Sequence, residues 1–246
     1  MDIFDYLKQL HEECIKNSEH IVFEKKHPRH LYLVGLYGSL IELTGSLIIL
    51  IENKCITGAL PVFRSLLEAY VEFHNLHADA KYGYYMEISY HEQWLKVLEK
   101  SKETPNPFLK EISEANTLDK MISKEKSEIK ELKNKGYKAL NILQRFKKAE
   151  MVDEYCSIYN FLSNDAHSNI RALIDRHLEI EENSFTVVYY KEKSLENNLH
   201  ILDSASGLLL KSSLKIHHFF DTPAYLEIEK SSKKLDKIRS KYCQSP

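Results

Sequence analysis

Glycine and proline are scarce in this sequence, with 7 glycines and 6 prolines among 246 residues. A protein built only from strands needs many tight turns, and these two residues supply the backbone conformations that such turns require. Leucine, isoleucine, lysine and glutamate, which suit helices, are abundant instead. The composition argues against an all-β protein. It predicts an all-α fold, a multi-helix bundle with long antiparallel helices.

Cysteine is also sparse, and its spacing shows neither a C-x-x-C pair nor close clustering. The four cysteines are Cys14, Cys55, Cys156 and Cys243. This pattern argues against a zinc site and against a disulfide framework. We therefore expect all four to be reduced, buried small hydrophobic residues of a cytoplasmic protein.

The histidines do not follow a metal-binding motif. His74 and His77 are three residues apart and could share a metal ion. A ferritin-like site, however, needs Glu-x-x-His on two helices together with two further glutamates. The match that we find is Glu24-Lys-Lys-His27, which lies beside a proline. We therefore expect neither a metal ion nor a cofactor.

A strong net charge is lacking too, because the formal net charge is −2. The net charge does not favour nucleic acid or an anionic membrane as a partner, so binding of RNA would depend on local patches of positive charge. The most charged stretch, at about 108–148, alternates lysine with glutamate. This alternation predicts a solvated helical arm on a single helical domain spanning 1–246. A phosphate-binding face on that arm is the alternative.

The apolar segment from Leu31 to Ile51 is nearly long enough to cross a bilayer. Glu42 stands at its middle, and an acid facing lipid there would cost about 2.5 kcal/mol or more. We expect a core helix and no membrane association. Two Gly-Ser pairs seven residues apart, at Gly38 and Gly45, would form a seam that lets another helix approach closely.

The hydrophobic period changes in one segment in the second half of the chain. Around Leu178 and Ile180 apolar residues alternate with acids, Glu182-Asn183-Ser184 supplies a turn, and a run of β-branched and aromatic residues follows. One small β-hairpin is therefore expected at about 178–190.

Polar side chains at helical spacing follow one another between residues 155 and 171. If this segment is one helix, a stripe on one face contains Asn160, Asn164, His167 and Arg171, at spacings of four, three and four. The apolar positions left to bury the segment are Ile158, Phe161, Leu162 and Ile170. A cation, two amides and a titratable imidazole are typical of a functional site.

A second informative pair lies on the predicted helix from Thr57 to about Ala80. Arg64 and Glu68 are four residues apart on one face of it. An exposed pair of this kind stabilises a helix by only about 0.3–0.5 kcal/mol. Its interest therefore depends on burial against the polar stripe, and an ordinary surface pair is the alternative.

These two helices resemble the signature helices of an uncharacterised bacterial family, domain of unknown function 5677. In that family an Arg-x-x-x-Glu helix precedes a Tyr-x-x-x-Ser-x-x-x-His helix. The matching positions here are Arg64, Glu68, Tyr159, Ser163 and His167. The resemblance implies a helical, HEPN-like fold in which Arg64 and His167 meet. It brings no established reaction.

The HEPN ribonucleases of bacterial toxin and defence systems use an Arg-x4–6-His pattern, usually with a polar residue after the arginine. Arg171 to His177 satisfies this spacing, but Ala172 departs from the preference. About one such match is expected by chance in a chain of this composition. The short pattern therefore carries little weight by itself.

Two hypotheses follow for the function. In the first, the protein is a HEPN-like, metal-independent endoribonuclease or toxin-type effector. His167 acts as acid or base, and Arg64 or Arg171 stabilises phosphate charge. Glu68, Ser163 and Asn164 orient them. In the second, the protein is a non-catalytic sensor or scaffold whose polar residues form a structural network and whose long helices pair in a homodimer. A small-molecule or metal enzyme is a third possibility.

Overall fold

The computed structural model of the chain describes residues 1–103, 106–166, 169–182, 184–189 and 199–242, without the side chains of Asp165 and Tyr242. The long helices are α1 (Ile3–Ser18), α2 (Pro28–Glu52), α3 (Ile56–Ala78), α4 (Tyr82–Glu103), α6 (Leu118–Asn134), α11 (Leu199–Phe219) and α12 (Tyr225–Tyr242). The short ones are α5 (Lys110–Ser113), α7 (Ile142–Lys148), α8 (Val152–Glu154), α9 (Asn160–Ala166) and α10 (Ile170–His177). A 3₁₀ turn covers Pro107–Leu109 and a π-helical turn covers Tyr155–Tyr159. The predicted all-α architecture is confirmed.

The predicted hairpin is confirmed as well. Strand β1 (Leu178–Ile180) pairs with β2 (Phe185–Val187) in an antiparallel two-stranded sheet. Leu178 lies opposite Val187, and Ile180 lies opposite Phe185.

The main hydrophobic core lies between α1, α2, α3, α11 and α12. Helix α2 is long and apolar enough to pass as a membrane span by length and composition. In this fold, however, it packs against α1, α3 and α11. Its inward residues Leu33, Tyr37, Leu40 and Leu47 are buried, and Glu42 points to the exposed side. This packing is that of a core helix.

Local capping explains several of the helix boundaries. The side chain of Asp2 accepts a hydrogen bond from the backbone N–H of Asp5 at 2.8 Å, which fixes the start of α1. Pro28 stands at the first position of α2, where its missing N–H costs nothing. Asn141 and Gln144 form a reciprocal capping box at the start of α7.

Of the two glycines in the predicted small-residue seam on α2, Gly45 lies close to another helix and Gly38 does not. A Cβ atom added at Gly45 would lie 2.9 Å from the imidazole Nε2 of His11 on α1. That ring is held by a 3.1 Å hydrogen bond to the carbonyl oxygen of Ile41. At Gly38 the same added atom would meet nothing within 4 Å.

Helix α6 packs antiparallel to α4 and is the longest helix of the charged segment. Three ion pairs join the two helices, and the residue number falls along α4 as it rises along α6. They are Asp119–Lys102 at 2.7 Å, Lys126–Glu99 at 2.8 Å and Lys133–Glu92 at 2.8 Å. A small apolar cluster around Leu98, Leu118 and Ile122 lies beneath them. Part of the charge of this segment is therefore compensated within the helix pair.

The expectation that all cysteines are buried is wrong for Cys156, which is exposed in the π-helical turn, while Cys55 is half-buried. Cys14 is buried, and its Sγ lies 2.9 Å from Ser213 Oγ. Burial raises the pKa of the Cys14 thiol to about 11. Cys243 lies outside the described residues. The three described cysteines are free thiols.

Candidate functional site

A π-helical turn at Tyr155–Tyr159 positions the candidate site. The extra residue in such a turn shifts the following side chains around the helix axis. Tyr159 and Leu162 therefore face inward and are buried. Tyr159 packs against Phe146 at a ring distance of 5.0 Å and stacks on Tyr155 at 5.3 Å.

Two predicted positions are wrong, one after the π-helical turn and one in the separate helix α10. Phe161 and Ile170, which we expected to bury this segment, are 59% and 67% exposed. Leu162 is buried and Ile158 is partly buried, as expected. A regular 3.6-residue period does not apply to a segment that begins with a π-helical turn.

The hydroxyl of Tyr159 forms hydrogen bonds with both side chains of the Arg64–Glu68 pair on α3. Arg64 Nη2 donates a hydrogen bond to the Tyr159 hydroxyl at 2.9 Å, and this hydroxyl donates to Glu68 Oε1 at 2.9 Å. Arg64 Nη2 also lies 3.1 Å from Glu68 Oε1. The guanidinium carbon is 5.2 Å from the centre of the Tyr159 ring. We refer to Arg64, Glu68 and Tyr159 as the polar triangle.

The polar triangle is partly shielded from solvent. The side chains of Arg64 and Glu68 are 24% and 36% exposed, whereas Tyr159 is buried. The hydrogen bond to Tyr159, with the charge of Glu68, raises the pKa of Arg64. Burial raises the pKa of the Tyr159 phenol. At neutral pH the triangle therefore contains a neutral phenol between an arginine cation and the carboxylate that compensates it.

One donor of the triangle is not used within the described part of the chain, since Arg64 Nε is buried there without a hydrogen-bond partner. Buried donors of this kind are uncommon because each costs free energy. The arrangement can hold a phenol in place, and it can present an arginine edge to an anion.

The remaining predicted site residues lie on both sides of a break in the helix. Ser163 on α9 is half-buried, and Asn164 is exposed. His167 lies outside the described residues. Arg171 is exposed on the first turn of α10.

The expected continuous helix through 160–171 is wrong. Helix α9 ends at Ala166, and Asn169 adopts ψ 142° as the N-cap of α10, accepting a hydrogen bond from the N–H of Arg171 at 3.0 Å. An asparagine favours such a cap because its side chain replaces the missing backbone acceptor. Arg171 therefore does not continue the stripe of Asn160 and Asn164, and the described contacts do not connect it with the triangle.

The Arg171–His177 pattern does not form a pair within α10. Six residues turn a helix through about 600°, so the two side chains point in directions about 120° apart. His177 is half-buried at the end of α10, with Nδ1 3.4 Å from the carbonyl oxygen of Val188. It connects α10 to the segment after β2.

A second polar cluster, one turn further along α3, was not predicted. Arg145 Nη1 on α7 donates to Glu72 Oε1 at 2.6 Å, and its Nε donates to the carbonyl oxygen of Leu140 at 3.1 Å. Asn75 Nδ2 donates to the carbonyl oxygen of Arg145 at 3.0 Å. The available signal was the spacing of Glu68, Glu72 and Asn75 along one side of α3.

The histidines of α3 also have partners that were not predicted. His74 Nδ1 lies 2.9 Å from Lys215 Nζ on α11, and His77 stacks on Phe73 at 6.1 Å. Among the described residues no group of three or more potential ligands is arranged to hold a metal ion.

Comparison with known families covers the helices that carry this site. The model of a family of unknown function, DUF5677, matches residues 30–185. The match covers more than half of the 246 residues and includes the whole polar triangle. The chain belongs to the DUF5677 family. Neither a curated protein nor a solved structure matches it. In this DUF5677 protein the triangle joins the two family helices that the sequence comparison had suggested.

Proposed function

We propose that this DUF5677 protein is a HEPN-like helical effector of the cytoplasm that cleaves RNA without a metal ion. The observation that carries the proposal is the polar triangle at the junction of α3 and the π-helical turn. It holds an arginine close to a helix whose sequence continues through Ser163 to His167. The resemblance to HEPN proteins supplies the reaction class.

The proposed reaction is an internal transfer at an RNA phosphodiester. A base removes the proton of the ribose 2′-hydroxyl, the 2′-oxygen forms a bond to phosphorus, and the bond from phosphorus to the 5′-oxygen breaks. An acid donates a proton to the leaving 5′-oxygen, which leaves a 2′,3′-cyclic phosphate. His167 supplies one of the two proton transfers. Arg64 stabilises the negative charge that develops on the phosphate oxygens.

Glu68 and Tyr159 act by positioning in this scheme. The Arg64 guanidinium donates a hydrogen bond to Tyr159 and forms an ion pair with Glu68, and the Tyr159 hydroxyl in turn donates to Glu68. Because the guanidinium is held in this way, little conformational entropy is lost when an anion binds. Ser163 and Asn164, half-buried and exposed on the next helical turn, would orient His167 or the RNA. Arg171, exposed on α10, would contact a neighbouring phosphate.

The test is incubation of the purified chain with single-stranded RNA in EDTA. The proposal expects cleavage, with 2′,3′-cyclic phosphate ends on the products. The His177→Ala variant, which removes the histidine of the Arg171–His177 pattern, should retain it. Cleavage that requires an added divalent metal, or that is lost with His177→Ala alone, would contradict the proposed site.

A second candidate function, a non-catalytic sensor or scaffold, is favoured by one specific observation. The charge of Arg64 is already compensated by Glu68, and the phenol between them is buried. A charge-compensated network of this kind can hold α3 against the π-helical turn without taking part in a reaction. Intact RNA after prolonged incubation in EDTA would favour this candidate.

We also propose that the protein forms a homodimer. Several large apolar side chains between α9 and the hairpin are exposed to solvent: Phe161, Ile170, Ile180, Phe185 and Val187. Ile180 and Phe185 are cross-strand partners, and neighbouring exposed apolar side chains of this kind are typical of interaction surfaces. Light scattering coupled to size exclusion should give twice the monomer mass, and a monomer at micromolar concentration would refute this.

A further inference from the structure

A cavity of about 450 Å³ lies between α3, α11, α12 and the segment from Ala149 to Ile158. Its floor is apolar and aromatic, with Phe63, Leu67, Tyr70 and Leu208 among the lining residues. Cavities of this size with a few polar groups at the rim are typical sites for small molecules. The polar triangle is a separate site, although both use α3 and the π-helical turn.

A basic cluster stands at one end of this cavity. His74 and Lys211 line it, and Lys215, one turn after Lys211 on α11, contacts His74 from behind. Within the described part of the chain neither lysine has a carboxylate partner. Lys215 is also half-buried. A half-buried ammonium without a counter-charge costs free energy, which a bound anion would offset.

The contact between Lys215 and His74 determines which ring nitrogen of His74 accepts a hydrogen bond and which can donate one. An ammonium can only donate, so His74 Nδ1 accepts at 2.9 Å and the neutral ring carries its hydrogen on Nε2. Burial, followed by the charges of Lys215 and Lys211, lowers the pKa of His74, with Glu150 opposing. The cluster therefore presents donors and no acceptor, as an anion site requires.

Arg239, on the rim, differs from the two lysines because its charge is compensated by an ion pair with Asp203. Its Nε and Nη2 donate to the carboxylate of Asp203 at 2.7 and 3.0 Å. A Cβ atom at Gly207 would lie 3.2 Å from Arg239 Nη2, so the glycine leaves room for the guanidinium. This pair frames the cavity and leaves Lys211 and Lys215 as the uncompensated cations.

We propose that the cavity binds a phosphate-bearing small molecule, with the phosphate on Lys211 and on the Nε2–H of His74. Lys215 holds the His74 ring through Nδ1 and adds its positive charge from outside the cavity lining. The uncharged part of the molecule covers the apolar floor. Glu150 and Glu154, on the rim, accept hydrogen bonds from its hydroxyl or amino groups. A nucleoside monophosphate has this combination of groups. The inference does not depend on RNA cleavage.

The test is calorimetric titration of the full chain with AMP, inorganic phosphate and adenosine in separate experiments. We expect AMP to bind at least about tenfold more tightly than phosphate, because only AMP uses both parts of the site. Lys211→Gln, which removes the lysine that lines the cavity, should weaken AMP and phosphate alike by about tenfold or more. Lys215→Gln removes the charge that contacts His74 and should weaken both ligands to a smaller extent. Lys237→Gln, an exposed lysine on α12, should change neither.

A further measurement keeps the result interpretable. Melting curves of Lys211→Gln and Lys215→Gln show whether each variant folds, and Lys211 is at an exposed position of the cluster. AMP binding no tighter than phosphate would refute the two-part ligand. Equal affinities for the Lys215, Lys211 and Lys237 variants would refute the basic cluster as the anion site.

Discussion

Tyr159 determines the geometry of the candidate site at the scale of single residues. Its hydroxyl accepts from Arg64 and donates to Glu68, so it links two side chains that would otherwise be an ordinary helix pair. The spacing of Arg64 and Glu68 could be predicted from sequence. The family resemblance identified Tyr159 as a matching position but not its inward orientation, which depends on a π-helical turn that hydrophobic periodicity does not reveal.

We expect Tyr159→Phe to lower the free energy of unfolding by about 1–2 kcal/mol, because it removes one hydroxyl that serves two charged partners. Tyr155→Phe is the matched control, since Tyr155 stacks on Tyr159 and its hydroxyl has no partner among the described residues. Urea unfolding monitored by circular dichroism gives both values. Equal losses for the two variants would mean that the hydroxyl bridge contributes nothing.

His217 gives a pH prediction. It is fully buried, and burial, assisted by the charge of His20, lowers its pKa to about 4. An unfolded histidine has a pKa of about 6.5, so the unfolded chain binds more protons between pH 6.5 and 4. Stability should be unaffected by this group above pH 6.5. It should fall by up to roughly 3 kcal/mol as the pH decreases through that window.

The pH prediction is tested by urea unfolding at pH 7 and pH 4.5. His217→Gln should show a shallower loss of stability between these values than the wild type. His218→Gln, at the exposed neighbouring position, should follow the wild type. If all three proteins lose stability equally, His217 is not responsible for the acid sensitivity.

At the scale of elements, sequence patterns identified α2, α3 and the hairpin because each pattern persists through its element. The helix expected from Leu31 to about Asn53 covers Pro28–Glu52, and its proline fits the first turn. The stretch from Tyr155 to His177 was predicted less well. A π-helical turn and the Asn169 cap divide it into two helices, and each break depends on local hydrogen bonds rather than on hydrophobic spacing.

The two glycines of α2 give a prediction about helix contact. Gly38→Ala should stabilise the protein by about 0.5–1 kcal/mol, since alanine favours a helix and the added methyl group meets nothing. At Gly45 the same gain is offset by displacement of His11 and loss of its hydrogen bond to Ile41, worth about 1 kcal/mol. Thermal unfolding should therefore rank Gly38→Ala above Gly45→Ala. The reverse order would contradict the close approach of α1.

At the scale of the whole molecule, the position of α2 decides between a core helix and a membrane span. Composition alone could not exclude a membrane span, because the length and hydropathy of α2 fit a core helix and a membrane span equally. Glu42 was the residue that favoured a core helix, and it lies on the exposed side while its neighbours pack inward. The contacts between α3 and α9, which no helical period specifies, had to come from the structure and from the family resemblance.

Expressed without detergent, the chain should remain in the supernatant after ultracentrifugation and give a mainly helical circular dichroism spectrum. The reason is that the apolar face of α2 is covered by α1, α3 and α11. Glu42→Leu, which makes the exposed side more apolar, should reduce solubility without changing the spectrum. Recovery of the wild type only with detergent would overturn this packing.

The most direct test of the proposed function is the His167→Ala variant, assayed both for cleavage of single-stranded RNA in EDTA and for its melting temperature. If His167 is catalytic, cleavage is lost while the melting temperature stays close to that of the wild type, because a reacting imidazole can be removed without leaving a buried partner unpaired. His200→Ala, at an exposed position on α11, should preserve both properties. A wild type without nuclease activity, together with a His167→Ala variant destabilised by about 1–3 kcal/mol, would contradict the account and identify the residues as a structural network.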